Sequence, residues 1–95
     1  MKVTNLKSTS GNPVANQFEL YNQKHNYFQS YSSTIVHIDY TYAPCRVELD
    51  KTYWNYSKTT SKYRNQFLGE TTKETQAKID SGEYVLTDLN AWNPI

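Results

Sequence analysis

Glycine, proline and cysteine are scarce in this chain, which has three, three and one of them among 95 residues. The lone Cys45 excludes an internal disulfide and fits a reducing compartment, and we expect it to be a buried structural thiol. The glycines at positions 11, 69 and 82 are too dispersed to form a phosphate-binding loop. Each is therefore expected at a turn or at the end of a helix.

Long apolar runs and an excess of one charge are also missing. No stretch approaches the roughly 20 apolar residues that a membrane-spanning helix needs, and the polar start of the chain does not resemble a secretory signal. We therefore expect a cytoplasmic protein that does not act at a membrane. Ten basic and nine acidic side chains give a formal net charge of +1, which argues against a strongly basic nucleic-acid-binding protein and against an acidic DNA mimic.

Polar and aromatic side chains are abundant instead. Asn, Gln, Ser and Thr make up 33 of the 95 residues, whereas hydrophobic residues reach 37% and nine residues are tyrosine. So polar a chain folds only if large apolar groups compensate, and each packed aromatic ring buries about 150–250 Å². We expect one compact domain over residues 1–95, with a core of aromatic rings and a few Val, Ile and Leu residues.

Alternation of apolar and polar residues predicts strands over much of the chain. The predicted strands cover residues 14–21, 27–42, 45–49 and 84–89, and residues 3–7 are a further candidate for an edge strand. A break or a bulge is expected near Ser32 and Ser33 inside the longest of these stretches. Residues 91–95 follow as a tail, in which Trp92 must either dock on the domain or protrude.

The stretch that ends at Tyr42 allows a prediction of faces and of register. Alternate side chains share a face of a strand, so the more apolar set is expected to point inward; this set is Val36, Ile38, Tyr40 and Tyr42. Pairing of opposite charges across the next hairpin predicts Asp39 opposite Arg46 and His37 opposite Glu48. The alternative register, with Asp39 opposite Glu48, would place like charges together.

Helical signals begin after Tyr56. Ser57 or Thr59 can cap a helix that runs to about Leu68, followed by Gly69. A second helix is expected from residue 71 or 72 to Gly82. The order of elements predicts an α+β domain, with a small antiparallel β-sheet of four to five strands and two short helices packed on one side of it.

Charge is unevenly distributed along the chain. Residues 51–69 contain four basic side chains and no acidic one, whereas residues 70–95 carry a net charge of −3. Aromatic residues are interleaved with the cations, a combination that suits partner surfaces or unpaired bases. The predicted binding residues are Lys51, Tyr53, Trp54, Lys58, Lys62 and Arg64. This hypothesis requires an exposed Trp54, and the sequence leaves open whether that ring is buried or exposed. The alternative is that the rings belong to the core and the cations form an ordinary solvated face.

Catalytic and metal-binding patterns have little support. Cys45, His37 and Asp39 could in principle act as nucleophile, base and orienting carboxylate, but no local motif supports that arrangement. His25, His37 and Cys45 lack the spacing of a zinc site, and no fourth soft ligand exists. We therefore predict a protein that is not an enzyme and that uses neither a metal nor a cofactor.

Several segments of the chain resemble a family of small proteins of unknown function from bacteriophages and other mobile elements. The similarity extends over about residues 5–90, and the segments that carry it are 10–18, 28–31, 53–63, 64–68 and 81–84. The resemblance implies no known activity. It does imply a mobile-element context, in which small proteins often dock on a host machine; anti-CRISPR proteins are the best-known class of this kind.

Three functional hypotheses follow. The first is a non-enzymatic interaction protein that docks on a host protein or nucleoprotein complex in the bacterial cytoplasm, as an anti-defence (anti-CRISPR-type) inhibitor would. The second is a small nucleic-acid-binding accessory protein that uses its basic and aromatic residues directly. The third is a structural component that self-associates through its sheet. The sequence leaves the oligomeric state open.

Overall fold

A computed structural model describes residues 1–91 of the protein. Within this range the chain forms six strands and two helices, in the order β1 (Lys2–Lys7), β2 (Pro13–Tyr21), β3 (His25–Ser30), β4 (Ser33–Asp39), β5 (Arg46–Asp50), α1 (Lys58–Leu68), α2 (Thr72–Ser81) and β6 (Tyr84–Thr87). The prediction for Trp92 falls outside the described residues.

All six strands belong to one sheet, in the order β1-β2-β3-β4-β5-β6. The first five pair antiparallel with their neighbours, and β6 pairs parallel with β5 after the two helices. The α+β class is confirmed, but the predicted count of four to five strands is wrong. Residues 2–7 form a complete edge strand, and the stretch 27–42 is divided by a tight turn in which Tyr31 has a left-handed φ of 56°.

The predicted register between β4 and β5 is confirmed. Asp39 lies opposite Arg46, and His37 lies opposite Glu48. Opposite charges therefore meet across this pair of strands, as the cross-strand argument requires.

The predicted inward face of β4 is only partly right. Val36 is buried and Ile38 is half-buried, but Tyr40 and Tyr42 are exposed because β4 ends at Asp39. Ile35, which strict alternation with Val36 would place on the outer face, is fully buried. The pairing of β3 with β4 shifts by one residue after Phe28, and this β-bulge lets two consecutive side chains of β4 enter the core.

Both helices begin and end where their capping residues predict. The Ser57 hydroxyl accepts a hydrogen bond from the backbone N–H of Thr60, and Gly69 ends α1 in the left-handed conformation. Thr71 and Glu74 form a capping box at the start of α2, which ends at Gly82. Within residues 1–91, neither helix is long and apolar enough to cross a membrane.

The core lies between the helices and one face of the sheet. Its buried hydrophobic residues are Leu6, Phe28, Ile35, Val36, Leu49, Tyr63 and Tyr84. Phe67 of α1 stacks on Phe28 with ring centroids 5.7 Å apart. Aliphatic side chains thus contribute as much as rings, and the expectation of a mainly aromatic core overstated the role of tyrosine. Four tyrosines are exposed instead, namely Tyr31, Tyr40, Tyr42 and Tyr56.

A buried carboxylate joins the two helices to β6. Glu70 is only 5% exposed, and its oxygens accept hydrogen bonds from Thr75 Oγ1 (2.5 Å), Lys78 Nζ (2.9 Å) and the Tyr84 hydroxyl (2.7 Å). Burial alone would raise the pKa of Glu70, but these donors outweigh it and hold that pKa below its usual value. Burial, followed by the bond to Glu70, raises the pKa of Tyr84 from 10.0 to about 12.

This pKa predicts how stability depends on alkaline pH. Because the folded protein favours the neutral Tyr84 phenol, the stability that this group contributes is complete below pH 10.0 and is lost as the pH rises through about 12. Tyr84→Phe should lower the free energy of unfolding at pH 7 by about 1.5–3 kcal/mol. It should also flatten the decline of stability between those two pH values, measured by urea unfolding. The exposed Tyr42→Phe is the matched control, and an unchanged alkaline slope in Tyr84→Phe would refute this account.

Candidate functional site

The turn between β5 and α1 contains three of the six predicted binding residues and is held by buried hydrogen bonds. Asp50 is fully buried at the end of β5. Its carboxylate accepts hydrogen bonds from the backbone N–H groups of Thr52 (3.1 Å), Tyr53 (2.8 Å) and Leu89 (2.9 Å). One side chain therefore fixes the start of the turn and fastens the segment after β6 to it.

Three of the four predicted cations are exposed around this turn. Lys51 lies at its start, and Lys58 and Lys62 lie one helical turn apart on α1. Residues 51–69 contain no acidic side chain that could neutralise these lysines. The positive N-terminal end of the α1 dipole lies in the same segment and adds to their charge. This segment of the chain is therefore positively charged, although the protein as a whole is nearly neutral.

Arg64 is not one of these exposed cations, and its prediction as an exposed binding residue is wrong. Its side chain is fully buried, and burial lowers the pKa of its guanidinium. Nη1 donates to the carbonyl oxygen of Trp54, and Nη2 donates to Asn65 Oδ1 (2.8 Å) and Thr72 Oγ1 (2.8 Å). The guanidinium therefore joins the turn to both helices instead of facing a partner.

The structure settles the position of Trp54, which the sequence left open, against the exposed ring that the binding hypothesis requires. Trp54 and Tyr53 are half-buried and pack against the core, and the guanidinium carbon of Arg64 lies 5.0 Å from the centre of the indole. The exposed ring is that of Tyr56, which is 49% exposed and contacts Tyr53 edge to face at 5.2 Å. Tyr56 immediately precedes the N-cap residue Ser57, so the conformation of the turn determines where its ring points. The spacing of the aromatic residues in the sequence does not show which ring is exposed.

Together, the exposed residues define what we call the lysine–tyrosine surface: Lys51, Tyr56, Lys58 and Lys62. Tyr56 and Lys58 also line a shallow depression with Asn55, Ser57 and Ser61. A fixed ring among cations can contact an anionic partner, because the ring supplies apolar area and the ammonium groups supply charge. The arrangement is suited to recognition.

A second cluster lies on the face of the sheet opposite α1 and α2, which we call the helix-free face of the described residues. His25 of β3 lies opposite Asp39 of β4, and Tyr27 lies opposite His37. His25 Nδ1 is 3.0 Å from His37 Nε2 and 3.7 Å from Asp39 Oδ1. The ring of Tyr27 stacks on that of His37 at 4.5 Å with an interplanar angle of 6°. Three potential metal ligands thus converge on two adjacent strands.

Carboxylates support the two histidines. Glu48 Oε1 lies 2.8 Å from His37 Nδ1, and Glu48 Oε2 lies 3.4 Å from Arg46 Nη2. Asp39 Oδ1 accepts hydrogen bonds from the side chain and the backbone of Thr41, and these bonds lower the pKa of Asp39. Burial and the nearby carboxylates raise the pKa of Tyr27, which therefore stays neutral at pH 7.

Cys45 does not take part in this cluster. It is exposed, which contradicts the prediction of a buried structural thiol, because it lies in the loop before β5 and not within a strand. Both ring nitrogens of His37 are in contact with other groups, His25 and Glu48. The imagined arrangement of Cys45 as a nucleophile beside His37 therefore has no support in the described residues.

The fold and the two clusters define a small α+β protein with a mostly antiparallel sheet, one covered face and a basic turn. The chain belongs to the Family of unknown function (DUF8033), whose model matches residues 1–83. That range includes both the lysine–tyrosine surface and the histidine cluster. No curated protein and no solved structure matches the chain.

Proposed function

We propose that this protein is a non-enzymatic interaction protein that docks on a host protein or nucleoprotein complex through its lysine–tyrosine surface. The observation that carries the proposal is the exposure of Tyr56 and three lysines around a turn fixed by Asp50 and Arg64. Rigid presentation lowers the entropy lost on association, and tyrosine is enriched among residues that dominate binding energy.

The charge of the surface indicates the character of the partner. Lys51, Lys58 and Lys62 are not neutralised by acidic residues within 51–69, so an anionic patch on the partner would speed association. We infer an acidic protein surface or the protein part of a nucleoprotein. The resemblance to phage and mobile-element proteins supports action in the cytoplasm of a bacterial host, as an anti-defence inhibitor of the anti-CRISPR type.

Direct binding of nucleic acid is the alternative that this surface also supports. Tyr56 next to Lys58 is the pairing of ring and cation that unpaired bases and phosphates require. With Arg64 buried, three cations remain, and neutralising three phosphates would give a log–log salt slope of about −2 to −3. A protein partner would give a weaker dependence on salt.

Self-association through the sheet has less support. The exposed edge strand β1 begins and ends with a lysine, and charged side chains at a sheet edge oppose pairing between copies. If copies did pair, the mass in solution would rise with protein concentration.

Charge reversal tests the proposed surface. Lys51→Glu, Lys58→Glu and Lys62→Glu together should weaken capture of the partner by about tenfold or more and leave the melting temperature nearly unchanged, because exposed substitutions change stability by about 0.5 kcal/mol or less. The matched control reverses three exposed lysines elsewhere, Lys2, Lys24 and Lys73, with the same change in net charge. Equal loss in both triple variants would mean that net charge, and not this surface, governs binding.

Trp54→Ala is a poor probe of this surface. The indole packs against the core and lies under Arg64, so its removal is expected to destabilise the fold. Tyr56→Ala is the appropriate aromatic probe, because about half of that ring is exposed.

A further inference from the structure

The histidine cluster on the helix-free face has a geometry that the lysine–tyrosine surface does not use. We propose that His25, His37 and Asp39 bind a zinc ion that links β3 to β4. The ligand atoms would be His25 Nδ1, His37 Nε2 and a carboxylate oxygen of Asp39, which lie within 4.8 Å of one another.

The β-bulge in β4 creates this arrangement. Ser30 pairs with Ser33 across the tight turn, and an uninterrupted register from that pair would place His25 opposite Ile38. The shift after Phe28 places His25 opposite Asp39 instead. Since neighbouring residues of a strand point to opposite faces, the shift brings both histidines onto the same face.

The separations fit the edges of a metal coordination polyhedron. Metal–ligand bonds of about 2.0–2.2 Å in a tetrahedral site imply distances of about 3.3–3.6 Å between ligand atoms. The separations from His25 Nδ1 are 3.0 Å to His37 and 3.7 Å to Asp39, on either side of that range, and the third separation lies within 4.8 Å. Binding of the ion would require side-chain rotations that bring all three separations into this range.

The surrounding hydrogen bonds determine which ring nitrogen of His37 carries a proton and which is free to bind a metal ion. Because the Glu48 carboxylate only accepts hydrogen bonds, neutral His37 carries its proton on Nδ1 and directs the lone pair of Nε2 toward His25. His25 then coordinates through Nδ1 when its proton resides on the partly exposed Nε2. A carboxylate behind a ligating histidine is the usual second layer of a zinc site, and the stacked Tyr27 ring limits rotation of the imidazole.

The donor set selects the class of metal. Two imidazoles and one carboxylate suit zinc and its neighbours in the first transition series, whereas magnesium and calcium prefer all-oxygen sites. Three protein ligands leave a fourth tetrahedral position for water on the solvent side. The positive charge of Arg46 is offset by Glu48, since Arg46 Nη2 lies 3.4 Å from Glu48 Oε2.

Zinc titration of the full chain, freed of any affinity tag, tests the proposal. Calorimetry should show one saturable zinc ion per chain, with no comparable signal for magnesium. Long-range ¹H–¹⁵N correlation spectra of the imidazoles should show the resonances of His25 Nδ1 and His37 Nε2 shifting on addition of zinc. This second readout uses the wild-type protein and does not depend on the folding of any variant.

Variants identify the ligands. His25→Ala and Asp39→Asn should each weaken zinc binding by about 100-fold or more, and Glu48→Gln by about 10–100-fold. Two controls separate this site from adventitious ones: Cys45→Ser removes the exposed thiol, and Glu83→Gln removes an exposed carboxylate. Both should bind zinc with unchanged affinity.

Three results would overturn the proposal. They are the absence of saturable binding at submillimolar zinc, binding that persists in both His25→Ala and Asp39→Asn, and binding that disappears in Cys45→Ser. Each would leave the cluster as a hydrogen-bonded network between strands.

Discussion

Arg64→Met is expected to lower the free energy of unfolding by about 3 kcal/mol, a large share of the 5–15 kcal/mol or so that stabilises a typical domain. The guanidinium donates to the carbonyl of Trp54 and to the side chains of Asn65 and Thr72. Methionine fills part of the volume but donates no hydrogen bond. The carbonyl oxygen of Trp54 would lose this donor, and the side-chain oxygens of Asn65 and Thr72 would keep only their contacts with each other. An acceptor left without a partner costs about 1–3 kcal/mol, offset in part by the easier burial of a neutral side chain.

Urea unfolding followed by tryptophan fluorescence measures this effect, since Trp54 lies next to the substituted side chain. Lys62→Met is the matched control, because it removes an exposed cation from the same helix and should change stability by about 0.5 kcal/mol or less. Similar values for the two variants would show that Arg64 is not the structural link between the turn and the helices.

Asp50→Ala is expected to have a comparable effect, about 3 kcal/mol, for a complementary reason. Its carboxylate is the acceptor for the backbone N–H groups of Thr52, Tyr53 and Leu89. Alanine leaves three donors without this partner, and water reaches only some of them. The turn should loosen, so binding through the lysine–tyrosine surface should weaken as well.

The control for this variant is Asp88→Ala. Asp88 also accepts a backbone hydrogen bond, from Asn90 at 2.9 Å, but it is exposed, so its loss should cost about 1 kcal/mol or less. Denaturation of both variants gives the comparison. A cost for Asp50→Ala no larger than that for Asp88→Ala would contradict the role assigned to the buried carboxylate.

The features predicted correctly from sequence are those set by neighbouring residues. Ser57 and Thr71 cap the helices through contacts three residues away, and Gly69 and Gly82 supply the left-handed residues at the helix ends. The β4–β5 register follows from opposite charges on adjacent strands. Short-range interactions of this kind can be predicted from the sequence, because the residues that make them lie a few positions apart or pair across one hairpin.

The burial of Arg64 is harder to predict from the sequence. Arginine is usually exposed, so a cation next to Tyr63 is expected to face solvent. Its position four residues after Thr60 places both on one helical face, and both are fully buried. The four-residue spacing predicts the burial of Arg64 only if a buried polar helix face is already expected. The burial itself is determined by tertiary contacts of Arg64 with Thr72 and with the turn.

The histidine cluster depends on an even less visible feature. His25 and His37 lie twelve residues apart, and whether they share a face depends on the single bulged residue Ile35. The alternation of apolar and polar residues in β4 does not place the bulge at Ile35, because an apolar residue fits either face of a half-buried strand. The spacing of His25, His37 and Cys45 in the sequence argues against a metal site, whereas the structure brings His25 and His37 together with Asp39.

The central claim, that the protein recognises a partner through its lysine–tyrosine surface, is tested most directly by capture from bacterial lysate with and without nuclease. We predict that the wild-type chain and the variant with reversed Lys2, Lys24 and Lys73 retain the same partner after nuclease treatment, and that the variant with reversed Lys51, Lys58 and Lys62 does not. Capture by all three proteins alike would contradict the claim. Complete loss of the wild-type partner on nuclease treatment would replace it with direct binding of nucleic acid.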